Sequence, residues 1–113
     1  MSEVIVIGSD DHGLTERFEV AGVSAIQLDG RPIGADLDEG GIDAASVLVL
    51  TDADLASIIP VAKERNAPIA IVLYSSGRLP PYASAQADLA IDPALVDPDE
   101  VVDAVIDRIA EMA

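Results

Sequence analysis

Two runs of four aliphatic residues, Val4-Ile5-Val6-Ile7 and Val47-Leu48-Val49-Leu50, stand between polar, turn-forming stretches. Continuous, partly β-branched runs of this length predict strands buried on both faces of a parallel sheet. Ile69 to Tyr74, opened by Pro68, reads the same way, and Val23 to Leu28 is a further strand closed by Asp29-Gly30. A brief last strand falls at Leu89-Ala90-Ile91.

Between the strands the period changes. Leu14, Phe18 and Ala21 recur at helical spacing before Gly22, so residues 13–21 predict an amphipathic helix with a glycine stop. Pro32, Gly34, Gly40 and Gly41 break the segment from Arg31 to Asp43 and leave room for one helical turn around 35–39. Thr51-Asp52-Ala53-Asp54 offers N-caps for a helix over 54–65. Pro60 should distort that helix, because an interior proline costs about 3 kcal/mol. Ser75 to Ala85 is a Gly/Pro/Ser loop with a short helix near its end. Asp97-Pro98-Asp99-Glu100 marks the clearest boundary, with an Asp cap, proline at the first helical position and an acid three residues beyond the cap. Val101, Val102, Val105, Ile106 and Ile109 give the buried face of that last helix.

Strands alternating with helices predict an α/β chain folded as a single Rossmann-like domain over 1–113. Its expected form is a three-layer, doubly wound, five-stranded and mainly parallel sheet of Rossmann or flavodoxin type. Such sheets bind ligands beyond the C-terminal strand ends, at the switch point beside the first strand. Gly8 to Gly13, Asp29, Thr51-Asp52 and Tyr74 to Gly77 all fall on that edge.

Charge narrows the partners. The 113 residues carry 21 Asp and Glu against 6 Lys and Arg, a formal net charge of -15, while half the chain is hydrophobic. Disorder is excluded by that apolar half, and scattered cations cannot supply a phosphate-binding face, so no nucleic-acid partner is expected. No stretch is apolar enough to span a bilayer, and Met1-Ser2-Glu3 lacks a basic leader, so a cytoplasmic protein with no membrane partner is expected. The acids are dispersed between apolar elements and never form a long block, which reads as a solvated surface. Molar salt screens the self-repulsion of such a surface, and the composition therefore suits the salt-loving cytoplasm of a halophile.

The turn after the first strand carries the candidate chemistry. Gly8 and Gly13 match the first and third glycines of a dinucleotide fingerprint, and Asp29 stands where an acid would meet the ribose. Asp10 takes the place of the second glycine, adding a side chain and a negative charge where pyrophosphate would approach. The candidate nucleotide-binding set is Gly8, Ser9, Asp10, Gly13, Asp29, Thr51 and Asp52. With Val47–Asp52, Ala53–Arg65 and Ala87-Asp88-Leu89-Ala90-Ile91-Asp92-Pro93, this order resembles the TrkA-N (RCK) regulatory domain of potassium transport proteins. The resemblance covers most of the chain and implies NAD or another nucleotide as cofactor. The whole sequence also resembles a group of small uncharacterised haloarchaeal proteins, some labelled CTP synthetase. A CTP synthetase needs a phosphate-binding G-x-x-x-x-G-K-[ST] loop and an amidotransferase nucleophile, and the chain has neither motif and no cysteine.

A second resemblance is to response-regulator receiver domains. Asp10-Asp11, Asp52, Ser75 or Ser76, and Asp92-Pro93 sit near that family's acidic Mg²⁺ site, phosphoacceptor, hydroxyl and Lys-Pro positions. Asp10, Asp11 and Asp52 would then suit a hard, oxygen-liganded cation such as Mg²⁺. Asp92, however, stands where the family has lysine, and Gly8-Ser9 displaces the acid pair. Asp10 and Asp11 also read as caps of the following helix, His12 as an exposed loop histidine, and Tyr74 as core packing. Arg31 and Arg78 are the cations nearest the expected cleft. Ser9, Ser75 and Ser76 lack a base-orienter pair, so no catalytic residues are assigned. The leading expectation is a non-enzymatic Rossmann-like module that binds a nucleotide or a protein partner. The rival is a degenerate receiver-like or metal-dependent domain, and a homodimer packing by its outer helices is a third reading.

Overall fold

The computed structural model describes residues 3–112, so the leader reading of Met1 and Ser2 lies outside the described residues. Five parallel strands form one sheet: β1 (Val4–Ile7), β2 (Ala25–Leu28), β3 (Val47–Leu50), β4 (Ala70–Tyr74) and β5 (Leu89–Ile91). Their order is β2-β1-β3-β4-β5, the flavodoxin-type winding expected above as one of two alternatives. Register is continuous across the centre, with Ile7 beside both Leu28 and Leu50, and Leu50 beside Leu73.

β1, β3 and β4 are buried throughout, because helices cover both faces and leave no side that could carry polar residues. Alternate side chains feed two cores. Ile5, Ile7, Leu48, Leu50, Ile71 and Leu73 meet Leu37, Ile59 and Ala62 on one face. Val4, Val6, Val49, Val72 and Tyr74 meet Leu14, Phe18, Val101, Val102 and Val105 on the other.

The helices are α1 (Leu14–Val20), α2 (Gly34–Glu39), α3 (Ile58–Arg65), α4 (Pro81–Ser84) and α5 (Pro98–Met112). The single turn expected at 35–39 is α2, and a 3-10 turn at Ile42–Ala44 follows it. The helix expected over 54–65 is divided into a 3-10 turn at Ala53–Leu55 and α3, with Pro60 at the third position of α3. Proline is tolerated in a first turn, where its missing N–H would have no partner anyway, so the chain restarts the helix around it instead of kinking. α5 begins at Pro98 as expected, the Asp97 carbonyl accepting from the N–H groups of Glu100 and Val101. No described helix is long and apolar enough to cross a membrane.

Candidate functional site

The C-terminal ends of β1, β3, β4 and β5 surround a cleft of about 430 Å³ lined by Ser9, Asp11, His12, Thr51, Tyr74, Ser75, Ser76 and Asp92 through Ala94. Its floor is made where β1 and β3 leave the sheet. Gly8 turns there with φ +111°, and a Cβ at this position would overlap Thr51 Oγ1. Thr51 donates its hydroxyl proton towards the Ser9 carbonyl at 2.7 Å, with the Ile7 carbonyl at 3.3 Å. Gly8 is thus demanded by the close passage of Thr51, in addition to the tight turn for which the fingerprint reading required it.

Asp10 is the residue whose role the structure changes most. Its two carboxylate oxygens accept from the Leu14 N–H at 2.6 Å and the Thr15 N–H at 3.0 Å, while its carbonyl accepts from Gly13 N–H. Gly13, at φ 67°, lets the chain fold back so that this side chain reaches the first turn of α1. The cap expected for Asp10 is therefore present, on a helix that begins at Leu14. It also fills the donors that an approaching phosphate would need.

The remaining acids do not converge. Asp11 accepts from the Ser9 hydroxyl at 3.1 Å on the cleft rim. Asp52 points away from the cleft lining and accepts from the Asp54 N–H at 2.9 Å, capping the 3-10 turn. Among the described residues no three His, Cys, Asp or Glu side chains gather to hold a metal. The set Asp10, Asp11 and Asp52 does not fit Mg²⁺, because two of its members are spent on caps. Asp29 lies outside the cleft lining and is held by Gln27 Nε2 at 2.7 Å, which also donates to the Gly8 carbonyl.

On the far wall Tyr74 is buried and donates its hydroxyl to the Val96 carbonyl at 2.7 Å, so it is core packing as expected. Burial, and next the nearby Asp97 carboxylate, push its phenol above the usual range, partly opposed by Arg17. The His12 ring lies 5.0 Å from the Tyr74 ring at a tilt of 58°. His12 is thus an exposed turn residue, as read from the sequence, and its place on the cleft wall beside Tyr74 had no signal beyond its position directly after the acidic turn. No Lys or Arg lines the cleft among the described residues: Arg78 borders a separate apolar groove with Leu73, Leu79 and Ala90, and Arg31 borders neither. The cleft can accept hydrogen bonds and donate them from hydroxyls, but it offers no cation to a phosphoryl group.

Comparison with known proteins bears on the family and the fold. A family model described as "Family of unknown function (DUF7126)" matches residues 4–105. No curated protein matches the chain. Among solved structures, an orphan response regulator of H. pylori is similar with a TM-score of 0.69 at 16% identity, covering 95% of this chain and 97% of that one. An atypical orphan response regulator, described as revealing a phosphorylation-independent regulatory mechanism, gives 0.67 at 17% identity, with 95% of each chain covered. A response regulator from Burkholderia pseudomallei, solved with a phosphorylated aspartic acid and a calcium ion, gives 0.56 at 14% identity, covering 98% of this chain and 75% of that one.

These findings correct the resemblance to TrkA-N domains and to proteins labelled CTP synthetase, and with it the nucleotide-binding expectation. The fold is that of receiver domains. The physical reason is visible in the sheet: β3 pairs with β1 on the side away from β2, whereas a dinucleotide-binding sheet continues outward from β2 to β3.

Proposed function

The chain belongs to the DUF7126 family of unknown function, and from that premise we propose that it is a degenerate receiver-like module, working through protein contacts without aspartyl phosphorylation. The observation that carries this reading is Thr51. It stands in the cleft beyond the end of β3 with its hydroxyl committed to the Ser9 carbonyl, while Asp52, matched above to the acceptor position, lies outside the cleft lining and caps the following 3-10 turn. A hydroxyl cannot form an acyl phosphate. Asp92, at the family's lysine position, adds a negative charge that would repel a phosphoryl group, by roughly 1 kcal/mol at 4 Å in water and more where solvent is scarce.

The phosphorylation-independent mechanism described for one structural neighbour supports the same reading. In this reading the chain acts as a single non-enzymatic domain in the cytoplasm of a salt-loving cell, with Ser9, Asp11, Thr51 and Asp92 shaping a surface that needs no cofactor. The test is an NMR titration of the full chain in molar KCl with Mg²⁺ and then beryllofluoride, a mimic of the phosphorylated aspartate. The amides of Ser9, Asp11, Thr51, Ser75 and Asp92 should stay unshifted. Saturable shifts at those positions with beryllofluoride would overturn the proposal.

A further inference from the structure

Asp29-Gly30, directly after β2, is the one place in the chain where glycine follows aspartate; every other Asp precedes a residue with a side chain. That pairing bears on covalent chemistry. The carboxyl carbon of an aspartate and the backbone nitrogen of the next residue can close a five-membered ring. Closure is opposed by a bulky following residue and by an N–H already engaged in a hydrogen bond, and glycine removes the first obstacle.

The fold removes the second. Asp29 and Gly30 are both exposed, and a Cβ built on Gly30 would meet nothing within 4 Å. Among the described residues the Gly30 N–H donates to no backbone carbonyl and to no side chain. Asp29 is held by a single contact, Gln27 Nε2 to Oδ1 at 2.7 Å. The same Nε2 donates to the Gly8 carbonyl at 2.7 Å, so this restraint is shared with the turn that floors the cleft. Comparable positions elsewhere are fastened. In Glu39-Gly40, the other acid followed by glycine, the Gly40 N–H bonds to the Asp36 carbonyl at 3.0 Å. Asn66, the only asparagine, donates its amide to the Ile42 and Ala45 carbonyls at 2.8 and 2.7 Å and precedes Ala67.

We propose that Asp29-Gly30 is a site of spontaneous backbone modification in the folded protein, converting to an isoaspartyl linkage through a succinimide, with Gln27 as the restraint on its rate. The Gly30 nitrogen attacks Asp29 Cγ of the protonated carboxyl. A new N–Cγ bond forms, and the N–H proton leaves with the carboxyl hydroxyl as water. Water then adds to the ring carbonyl that was the Asp29 main-chain carbonyl, and cleavage of its bond to nitrogen leaves Gly30 attached through Cγ. The product carries one carboxylate as before, so the net charge of -15 is unchanged. Its main chain is longer by one carbon, and the carboxylate now springs from the Asp29 α-carbon. No oxidant or second substrate enters. Gln27 ties the carboxyl to a residue two positions back and narrows its excursions toward the Gly30 nitrogen, since reacting groups must meet in a near-attack geometry.

The test is prolonged warm incubation of the full chain at neutral pH in molar KCl, with circular dichroism confirming that it stays folded. Isoaspartate is then read with a protein isoaspartyl methyltransferase and labelled S-adenosylmethionine, and the label is placed by peptide mapping. It should accumulate in the one peptide that holds residues 29 and 30, beside a minor succinimide form lighter by one water. Asp29→Glu keeps the charge but would need a six-membered ring, and it should lose the label. Gly30→Ala should lose it as well, and Asp29→Glu decides should the positive φ of residue 30 keep that variant from folding. Gln27→Ala should label roughly fivefold faster, the factor that one hydrogen bond is worth. A folded chain that stays unlabelled while a synthetic peptide of residues 26–33 is labelled would overturn the site. So would label spread evenly over other aspartates, label that persists in Asp29→Glu, or a rate unmoved by Gln27→Ala.

Discussion

Tyr74 concentrates the residue-scale physics of the cleft. A phenol that is buried, hydrogen-bonded to the Val96 carbonyl and close to Asp97 resists ionisation, so its folded pKa lies above the ordinary value near 10. The unfolded chain releases that proton first. Stability from Tyr74 is therefore complete below about pH 10 and is lost as pH rises through the higher folded value. Denaturant midpoints measured from neutral to strongly alkaline pH should fall in that window, and Tyr74→Phe should flatten this part of the decline. At neutral pH the same substitution should cost about 1 kcal/mol, the net worth of one hydrogen bond. Tyr74 was legible in the sequence as an apolar strand end. Its hydroxyl partner was not, because Val96 belongs to a loop whose path only the tertiary structure fixes.

Among the elements, α1 shows how a motif can be read correctly and still mislead. Gly8, Asp10, Gly13 and Asp29 hold fingerprint spacing, but spacing does not say which way a carboxylate turns. Here Asp10 turns back onto α1 and satisfies two N–H groups of its first turn. Asp10→Ala should cost about 1 kcal/mol, up to about 2, measured by urea unfolding, with the loss centred on α1 in hydrogen exchange. The strands were legible almost to the residue because continuous aliphatic runs admit few alternatives: β1, β3 and β5 fall where the pattern sets them. β2 is shorter than its run, starting at Ala25 where pairing with Val4 begins. The order of the strands was only half legible. Alternation of strand and helix allows both Rossmann and flavodoxin windings, and the side of β1 on which β3 docks is decided by packing partners distant in sequence.

For the molecule as a whole, charge dominates. The described ion pairs engage Asp99, Asp38, Asp88 and, at 4.0 Å, Glu111. They are largely solvent-exposed, so each contributes little. Most of the 21 acids therefore face water and one another. Thermal unfolding followed by circular dichroism should show the midpoint rising as KCl increases from dilute to molar, since screening weakens repulsion in the compact state more than in the expanded one. Indifference to salt would count against the halophilic reading of the composition. Within this charged shell the cleft floor is fastened: Gly8 admits Thr51, and Thr51 bonds to the Ser9 carbonyl across the gap between β1 and β3. Considered as motion, a floor held by its own side chain must break the Thr51–Ser9 hydrogen bond before it can rearrange, and a ligand shifts such an equilibrium only by binding the two arrangements differently. On the proposed reading, a partner would meet this domain as one fixed surface, shaped when the chain folds.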